Sequence, residues 1–492
     1  MATRALTVST SRNALAARRV DTTDVVAVGL AALLLLAAVI PTVGRRPFWF
    51  DELVSLEVAS SSWSAFAEYL AHVEVNMALY HAVLRGWLSV AHGEVAVRVL
   101  SVFFALATLP LFYAFARRLY DRRTAVTAVL LLSVNVSFVG YSRDARSYAL
   151  TLLLVTASSY ALVRAVESER DRDWAIYGIA AGLMVWSHLF AALVLVAQVA
   201  WVVLERRGVH AIRGPAIAAC VLGAVLLPLA AIVVLSGQEP QLEWLPRPGP
   251  QKLPGLLLWF VESRLTVVAY CVGVVVALLS AARAWRLKRE NWPRRESLLL
   301  LWLLVPPVVA FLASYATPVY LYRYFLASLP ALVLLAAAGF AQLRPRWLGI
   351  AVTVVALGLS VRTVEGCQPD CKIRYDDWEA AGTYLAANVR PGDALIVYPK
   401  QVRTGVHAYL HDERRPRLLY PESWELVGGA KRGHDDLASA LEDVGRYERV
   451  WLVTWWLPAD EATSGLATRA SHVSGEEFPG NVHVDLYAPK RG

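Results

Sequence analysis

Two adjacent carboxylates, Asp51 and Glu52, stand in Phe48-Trp49-Phe50-Asp51-Glu52, just past the first apolar run long enough to cross a bilayer. An ionisable pair at a membrane surface is costly to desolvate, so such groups usually mark a site rather than a scaffold. Other polar groups follow at similar positions: Asn76, Tyr80 and His81, then Tyr141-Ser142-Arg143-Asp144-Ala145-Arg146-Ser147-Tyr148, then His188, then Tyr320-Leu321-Tyr322-Arg323-Tyr324. Asp51 can take a proton from an attacking hydroxyl if it stays ionised and within hydrogen-bond reach. Arg143, Arg146 and Arg323, interleaved with tyrosines, can hold a phosphate through charge-assisted, bidentate hydrogen bonds. They can also stabilise the charge that develops on a phosphate as it leaves. Grooves between membrane helices have room for an isoprenoid tail. These residue types suit transfer of a sugar from a lipid phosphate carrier to an acceptor hydroxyl.

The elements that must position them are membrane helices. Of 492 residues, 57% are hydrophobic and 18% charged, which marks a polytopic α-helical membrane protein. Eleven runs approach the ~20 residues of a crossing: 24–43, 97–116, 124–140, 148–166, 174–187, 189–205, 215–235, 265–284, 297–316, 325–342 and 347–363. His188 interrupts the fifth and sixth. Connections on one side carry 22 Lys and Arg, counting the tail 1–23, against ten on the other. The positive-inside rule then predicts a cytoplasmic N-terminus and an extracytoplasmic C-terminus in the plasma membrane. The +8 net charge is mostly this bias, so no nucleic-acid partner is expected. The first run reads as a retained anchor, without a cleavage site. On this topology every strong polar signal falls on the outer face, as random placement would not arrange.

Three regions lie outside the crossings. In the first external loop, 44–96, helical spacing recurs over Glu52–Ala59, Trp63–His72 and Ala78–His92, which predicts short helices along the interface. The loop Gly237–Gly255 is rich in Pro and Trp. The tail 365–492 alternates helix-like stretches (Trp378–Val389, Leu437–Val444) with strand-like ones (Ala394–Tyr398, Val450–Thr454), which predicts a small extracytoplasmic α/β domain. A covering or acceptor-binding role is preferred for it, with a structural cap as the alternative. Cys367 and Cys371 fall in an oxidising compartment and are disulfide candidates, whereas Cys220 and Cys271 read as plain core residues within spans. Adjacent Asp51 and Glu52 are too few ligands for a dedicated divalent site, so no essential metal or cofactor is expected.

Each polar element also has a plain structural reading. Arg143-Asp144-Ala145-Arg146 could anchor a helix end, Arg323 could snorkel to the surface, and His188 could close a helix. Asp51-Glu52 could cap the helix that follows. Their common side and their order argue for a site.

The pattern resembles the GT-C glycosyltransferases, in particular the bacterial branch related to protein O-mannosyltransferases and lipid A aminoarabinose transferases. The resemblance runs from the first span to about Leu343. It rests on Phe50-Asp51-Glu52, Leu79-Tyr80-His81, Arg143-Asp144-Ala145-Arg146-Ser147-Tyr148, Trp186-Ser187-His188, and Tyr322-Arg323-Tyr324 ahead of Leu329-Pro330. It implies Asp51 as catalytic base and Asp144 as a second acid. Glu52, Tyr80, His81, Arg143, Arg146, His188, Tyr322 and Arg323 would hold the donor. It further implies a polyprenyl-phosphate sugar donor, inversion at the anomeric carbon, and a glycan, lipid or protein acceptor. The chain departs from that family at Val75-Asn76-Met77-Ala78, where His-Pro-Pro is common, and at Asp144, where Glu is common. Other classes remain: a ligase or headgroup transferase acting on another lipid phosphate, and a lipid or glycan transporter. A transporter would want charges deep within the spans, and few lie there.

Overall fold

The computed structural model describes residues 21–205, 212–235, 245–287, 294–367, 376–410, 415–421, 423–424, 436–456 and 461–490. Most of the N-terminal tail, Cys371 and the first part of the Gly237–Gly255 loop, 237–244, lie outside these residues.

Helix α1 (Thr22–Val39) is followed by three short helices, α2 (Phe50–Ser60), α3 (Trp63–His72) and α4 (Ala78–Leu88), at the places the periodicity indicates. Long apolar helices then carry the chain back and forth: α5 (Glu94–Leu119), a bent pair α6 (Arg122–Ser133) and α7 (Val136–Ser142), and α8 (Tyr148–Ser168). Next come α9 (Asp171–Ser187), α10 (Ala192–Glu205), α11 (Arg213–Leu235) and a short α12 (Lys252–Val261). The membrane region closes with α13 (Arg264–Arg286), α14 (Arg294–Ala313), the 3-10 turn Tyr322–Ser328 leading into α15 (Leu329–Gln342), and α16 (Arg346–Cys367).

Among the described residues, eight helices are long and apolar enough to cross a membrane, or nine if α6 and α7, bent by 57°, form one span. Eleven is not reached by length, because α9 and α10 have only 17 and 14 residues. The cause is His188, whose extended backbone stops α9 and whose Nδ1 accepts the Phe190 N–H at 3.3 Å. The chain is a multi-pass membrane protein. Leu33, Leu227, Leu279 and Ile350 are each about two-thirds exposed on α1, α11, α13 and α16, a burden that only a lipid surround relieves. Cys220 shares that exposed setting rather than a core one. By contrast α15 is buried from Leu329 to Phe340. Cys367 is disulfide-bonded, while Cys220 and Cys271 keep free thiols.

The C-terminal part contains α17 (Trp378–Asn388), β1 (Ala394–Tyr398), α18 (Arg403–Tyr409), β2 (Arg417–Tyr420), α19 (Leu437–Asp443), β3 (Val450–Trp455), α20 (Glu461–Arg469), β4 (Ala470–Phe478) and β5 (Val482–Pro489). The strands form one sheet in the order β2-β1-β3-β5-β4. β1 runs parallel to both β2 and β3, and β5 is antiparallel to β3 and β4. Alternation along β1 and β3 gives the sheet two apolar faces. Leu395, Val397, Trp451 and Val453 pack with Trp378 and with Phe48, Leu53, Tyr80 and Leu84 of the first loop. Ile396, Val450 and Leu452 pack on Leu437, Leu441 and Leu466. The first loop and the C-terminal domain thus share one core.

Helices α13 and α15 meet at Gly273 and Gly339, where a Cβ on Gly339 would run into the Gly273 carbonyl. Small residues allow this backbone approach. Gly339→Ala should therefore overpack the bundle by about 1–3 kcal/mol and lower the thermal midpoint of the detergent-purified protein. An unchanged midpoint would show that the two helices can part at no cost.

Candidate active site

The site begins with an arginine on α5. Arg98, 2% exposed, donates Nε and Nη2 to the Glu52 carboxylate at 2.8 and 2.6 Å. Its Nη1 donates to the carbonyls of Val43 and Arg46 at 3.0 and 2.8 Å, and Nη2 to that of Pro47 at 3.0 Å. The Phe48 ring covers the guanidinium at 4.9 Å. Glu52 also accepts the Ala145 N–H at 2.9 Å and the Trp49 N–H at 3.3 Å. One buried pair therefore ties the first loop to α5 and to the second loop. Charge-assisted bidentate geometry of this kind offsets the desolvation of both ions. Glu52, expected from the resemblance to hold substrate, is spent on this framework.

Successive helical residues point about 100° apart, so Asp51 faces elsewhere. Its Oδ2 lies 3.2 Å from Arg323 Nη1 and 3.8 Å from Arg146 Nη2. Arg146 is further fixed by the Asp51 carbonyl at 3.2 Å and Ser55 Oγ at 3.0 Å. Arg323 comes from the 3-10 turn before α15 and lies over the Trp49 and Tyr324 rings. His188 closes the far wall, its ring 5.0 Å from Tyr324 and 5.9 Å from Tyr148. Burial first, then the charges of Arg146 and Arg323, push its imidazole down to about 3, so it is neutral. Asn76 holds this wall to the first loop by accepting the Leu189 N–H at 2.9 Å. Among the described residues, five buried polar atoms here lack a hydrogen-bond partner: Asp51 Oδ2, Arg146 Nε, Arg323 Nε, Tyr148 Oη and His188 Nε2. Buried groups are normally satisfied, so such a concentration describes a site shaped for a polar ligand.

Asp144 stands behind Trp49. Its Oδ1 accepts the indole N–H at 2.9 Å, its carbonyl accepts Ser101 Oγ at 2.6 Å, and Oδ2 has no hydrogen-bond partner. Burial and the neighbouring Glu52 charge raise this carboxyl from the ordinary 3.8 to about 7, against the opposing pull of Trp49 and Arg146. Arg143 is turned inward and donates to Thr42 Oγ1. Tyr80 and His81 are wholly buried in the wall of α4, the latter between the Tyr69 and Tyr80 rings. Burial lowers His81 to about 3, with Arg146 assisting. Tyr322 faces α12, its ring 6.0 Å from Trp259 and 5.1 Å from Lys252 Nζ. The structure thus gathers Asp51, Arg146, Arg323 and His188, sets Glu52 and Asp144 behind them, and leaves Arg143, Tyr80, His81 and Tyr322 in the surrounding walls.

Comparison with known proteins gives this arrangement a setting. Residues 78–234 match the family model for dolichyl-phosphate-mannose-protein mannosyltransferase. The fold is similar to that of apo ArnT from Cupriavidus metallidurans, with a TM-score of 0.64 and 14% identity over 94% of this chain and 97% of that one. At that identity the likeness is one of fold. ArnT bound to undecaprenyl phosphate gives a TM-score of 0.59 at 13% identity, again over 94% and 97%. The apo oligosaccharyltransferase of Archaeoglobus fulgidus gives 0.50 at 13%, over 80% of this chain and 64% of that one. No curated protein matches the sequence.

Several residues of this site carry little signal in the sequence. Arg98 lies at the mouth of a span, where a lone cation reads as an anchor. Trp49 stands in an aromatic run, where nothing in the sequence shows that it bridges Glu52 and Asp144. Tyr148 and Tyr324 were visible beside the arginines but carried no separate signal. Glu74, which accepts the Tyr69 hydroxyl at 3.3 Å and whose charge reaches Arg146, had none. Among the described residues no group of three His, Cys, Asp or Glu side chains could hold a metal ion.

Arg98→Gln should leave Glu52 buried without its counter-charge, at a cost of about 3–5 kcal/mol; Arg98→Lys should recover part of it, as read from thermal unfolding. Asp144 gives a pH signature. Its folded pKa lies above the ordinary value, so the native state holds a proton that the unfolded chain releases. That contribution is full below about pH 4 and is lost as pH rises through about 7. Between pH 5 and 8 the thermal midpoint of Asp144→Asn should therefore rise relative to the unsubstituted protein; parallel curves would mean that Asp144 is ionised throughout.

Proposed function

We propose that the protein is an inverting glycosyltransferase that moves one sugar from a polyprenyl phosphate to a hydroxyl of a cell-envelope glycan, lipid or protein. The observation that carries this reading is Asp51 held between Arg146 and Arg323, whose Nε atoms remain unpartnered. ArnT has been crystallised with undecaprenyl phosphate, which supports a carrier of that type here. The reaction would take place on the outer face of the plasma membrane, with the N-terminus in the cytoplasm and the C-terminal domain outside.

The chemistry follows from the charges. The donor phosphodiester is an anion, and the two guanidiniums that meet it are those that hold Asp51. Donor binding draws Arg146 and Arg323 toward the phosphate and releases the Asp51 carboxylate as an acceptor. The acceptor oxygen then attacks the anomeric carbon from the face opposite the phosphate. As the new C–O bond forms, Asp51 takes the hydroxyl proton, and the bond from the anomeric carbon to the phosphate oxygen breaks with its electron pair on the phosphate. The phosphate gains a negative charge, which the arginines stabilise in a site largely closed to water. These cations supply the positive charge that a divalent metal would bring elsewhere, so the reading includes no metal. Asp144 buttresses Trp49 at the floor of the site and takes no part in the proton transfer.

Asp51→Asn should lower transfer from a radiolabelled polyprenyl-phosphate sugar by 10²-fold or more, within the roughly 10²–10⁴ range of general-base catalysis. Donor binding should hold or tighten, because a competing anion is gone. Arg323→Gln should instead raise the donor KM. Wild-type transfer by Asp51→Asn would remove the proposed base, and transfer only from a diphosphate-linked glycan would place the enzyme among the ligases.

A further inference from the structure

Resting on that reading, we infer that Glu74 and His188 select the sugar of the donor, and that this sugar is uncharged and offers them hydroxyl groups. Glu74 follows the end of α3 and is held there twice by Tyr69. Its N–H donates to the Tyr69 carbonyl at 3.1 Å, and its Oε2 accepts the Tyr69 hydroxyl at 3.3 Å. Its Oε1 accepts Asn76 Nδ2 at 3.5 Å. Asn76 Oδ1 in turn accepts the N–H of Leu189, the residue after His188, at 2.9 Å. One amide side chain therefore joins the carboxylate to the backbone that carries the imidazole. The electrostatics agree with this placement. Arg146 feels the Glu74 charge next after that of Asp51. Tyr324, whose ring is 5.0 Å from His188, feels Glu74 more than it feels Asp51.

What the two groups can bind follows from their hydrogen-bonding capacity. His188 is neutral, and its Nδ1 already accepts the Phe190 N–H. The ring proton therefore sits on Nε2, which is a donor, buried and without a hydrogen-bond partner among the described residues. Glu74 is the converse: a carboxylate only accepts, and the two bonds its oxygens receive are at the long end of the range. A wall with one unused donor and one under-used acceptor suits hydroxyl groups, because each hydroxyl both donates and accepts. A sugar carboxylate would have nothing to donate to Glu74 and would repel it. An ammonium would have nothing to offer Nε2–H and would face the guanidiniums of Arg146 and Arg323. Tyr148 Oη, also buried and unpartnered, adds a group of either kind, its ring 5.9 Å from His188. The arginines thus read the phosphate, which all such donors share, while Glu74 and His188 read what differs between them. A site built to hydrogen-bond a substrate hydroxyl discriminates strongly, since its buried groups are otherwise left unpaired.

The test measures binding to the full-length protein in nanodiscs, with no acceptor present. The probes are a polyprenyl phosphate alone and its phosphodiesters with mannose, arabinose, glucuronic acid and glucosamine. At least one of the two neutral sugars should tighten binding roughly 10–100-fold over the bare phosphate, the order of one hydrogen bond to a charged group. The acid and the amino sugar should add nothing. Glu74→Gln should remove most of that gain while binding the bare phosphate as the unsubstituted protein does, and Glu74→Asp should keep part of it. An undiminished gain in Glu74→Gln, equal weakening toward every probe, or a larger gain from the acid or the amino sugar overturns the assignment. The bare phosphate judges the reaction separately. If the unsubstituted protein does not bind it, or Arg323→Gln binds it equally well, the carrier reading falls and the sugar assignment with it; arginine-dependent binding with no gain from a neutral sugar removes the sugar assignment alone.

Discussion

The ion pair between Arg98 and Glu52 is the constraint on which the rest of the site depends. Both groups are almost wholly buried, so neither can be left without the other. Satisfying them fixes the carbonyls of residues 43, 46 and 47, the start of α2, and the Ala145 N–H. The two loops that carry Asp51 and Asp144 are therefore held by one guanidinium that touches neither carboxylate. A buried pair of this kind contributes little net stability against an apolar replacement, but it specifies one arrangement. Here that arrangement makes the two neighbours of the Asp-Glu pair diverge: Glu52 faces the framework and Asp51 the cavity.

Charge balance around the cavity follows from the same division. Arg98 is neutralised by Glu52. Arg146 and Arg323 share Asp51, and Asp144 is raised toward neutrality by burial and by Glu52. Arg146 also feels the Glu74 charge, so the two guanidiniums of the cavity are set against two carboxylates, and an incoming anion competes with those carboxylates for the cations.

Much of this was legible in the sequence, and the gaps have physical causes. Periodicity located the three first-loop helices closely, because each is amphipathic and short. The polar set expected on one side included Asp51, Arg146, Arg323 and His188, which the fold brings together, since charges at a membrane surface are rare enough to carry information. The resemblance set Asp51 apart as the base, but that Glu52 is turned to the framework depends on Arg98, 46 residues away. Hydropathy also could not separate a full crossing from α9 and α10, which are apolar enough but stop at His188. In the tail, β1 and β3 showed as apolar runs. β4, Ala470–Phe478, did not, since it is polar and exposed along most of its length and is extended only because β5 pairs with it.

Identity of 13–14% to its structural neighbours means that few side chains are shared, yet the fold persists. What the fold supplies is a position rather than a set of residues: a first loop pinned at the N-terminal end of α5 and roofed by the C-terminal sheet. Phe48, Leu53, Tyr80 and Leu84 of that loop share a core with Leu395, Val397, Trp451 and Val453 of the sheet. The roof is therefore packed on the floor instead of tethered above it. Beneath it the Asp51 side chain is 16% exposed and that of Arg323 23%, so the roof narrows access to the base without sealing it. A glycosyl donor is prone to hydrolysis, so for the proposed chemistry that restriction matters as much as the base itself.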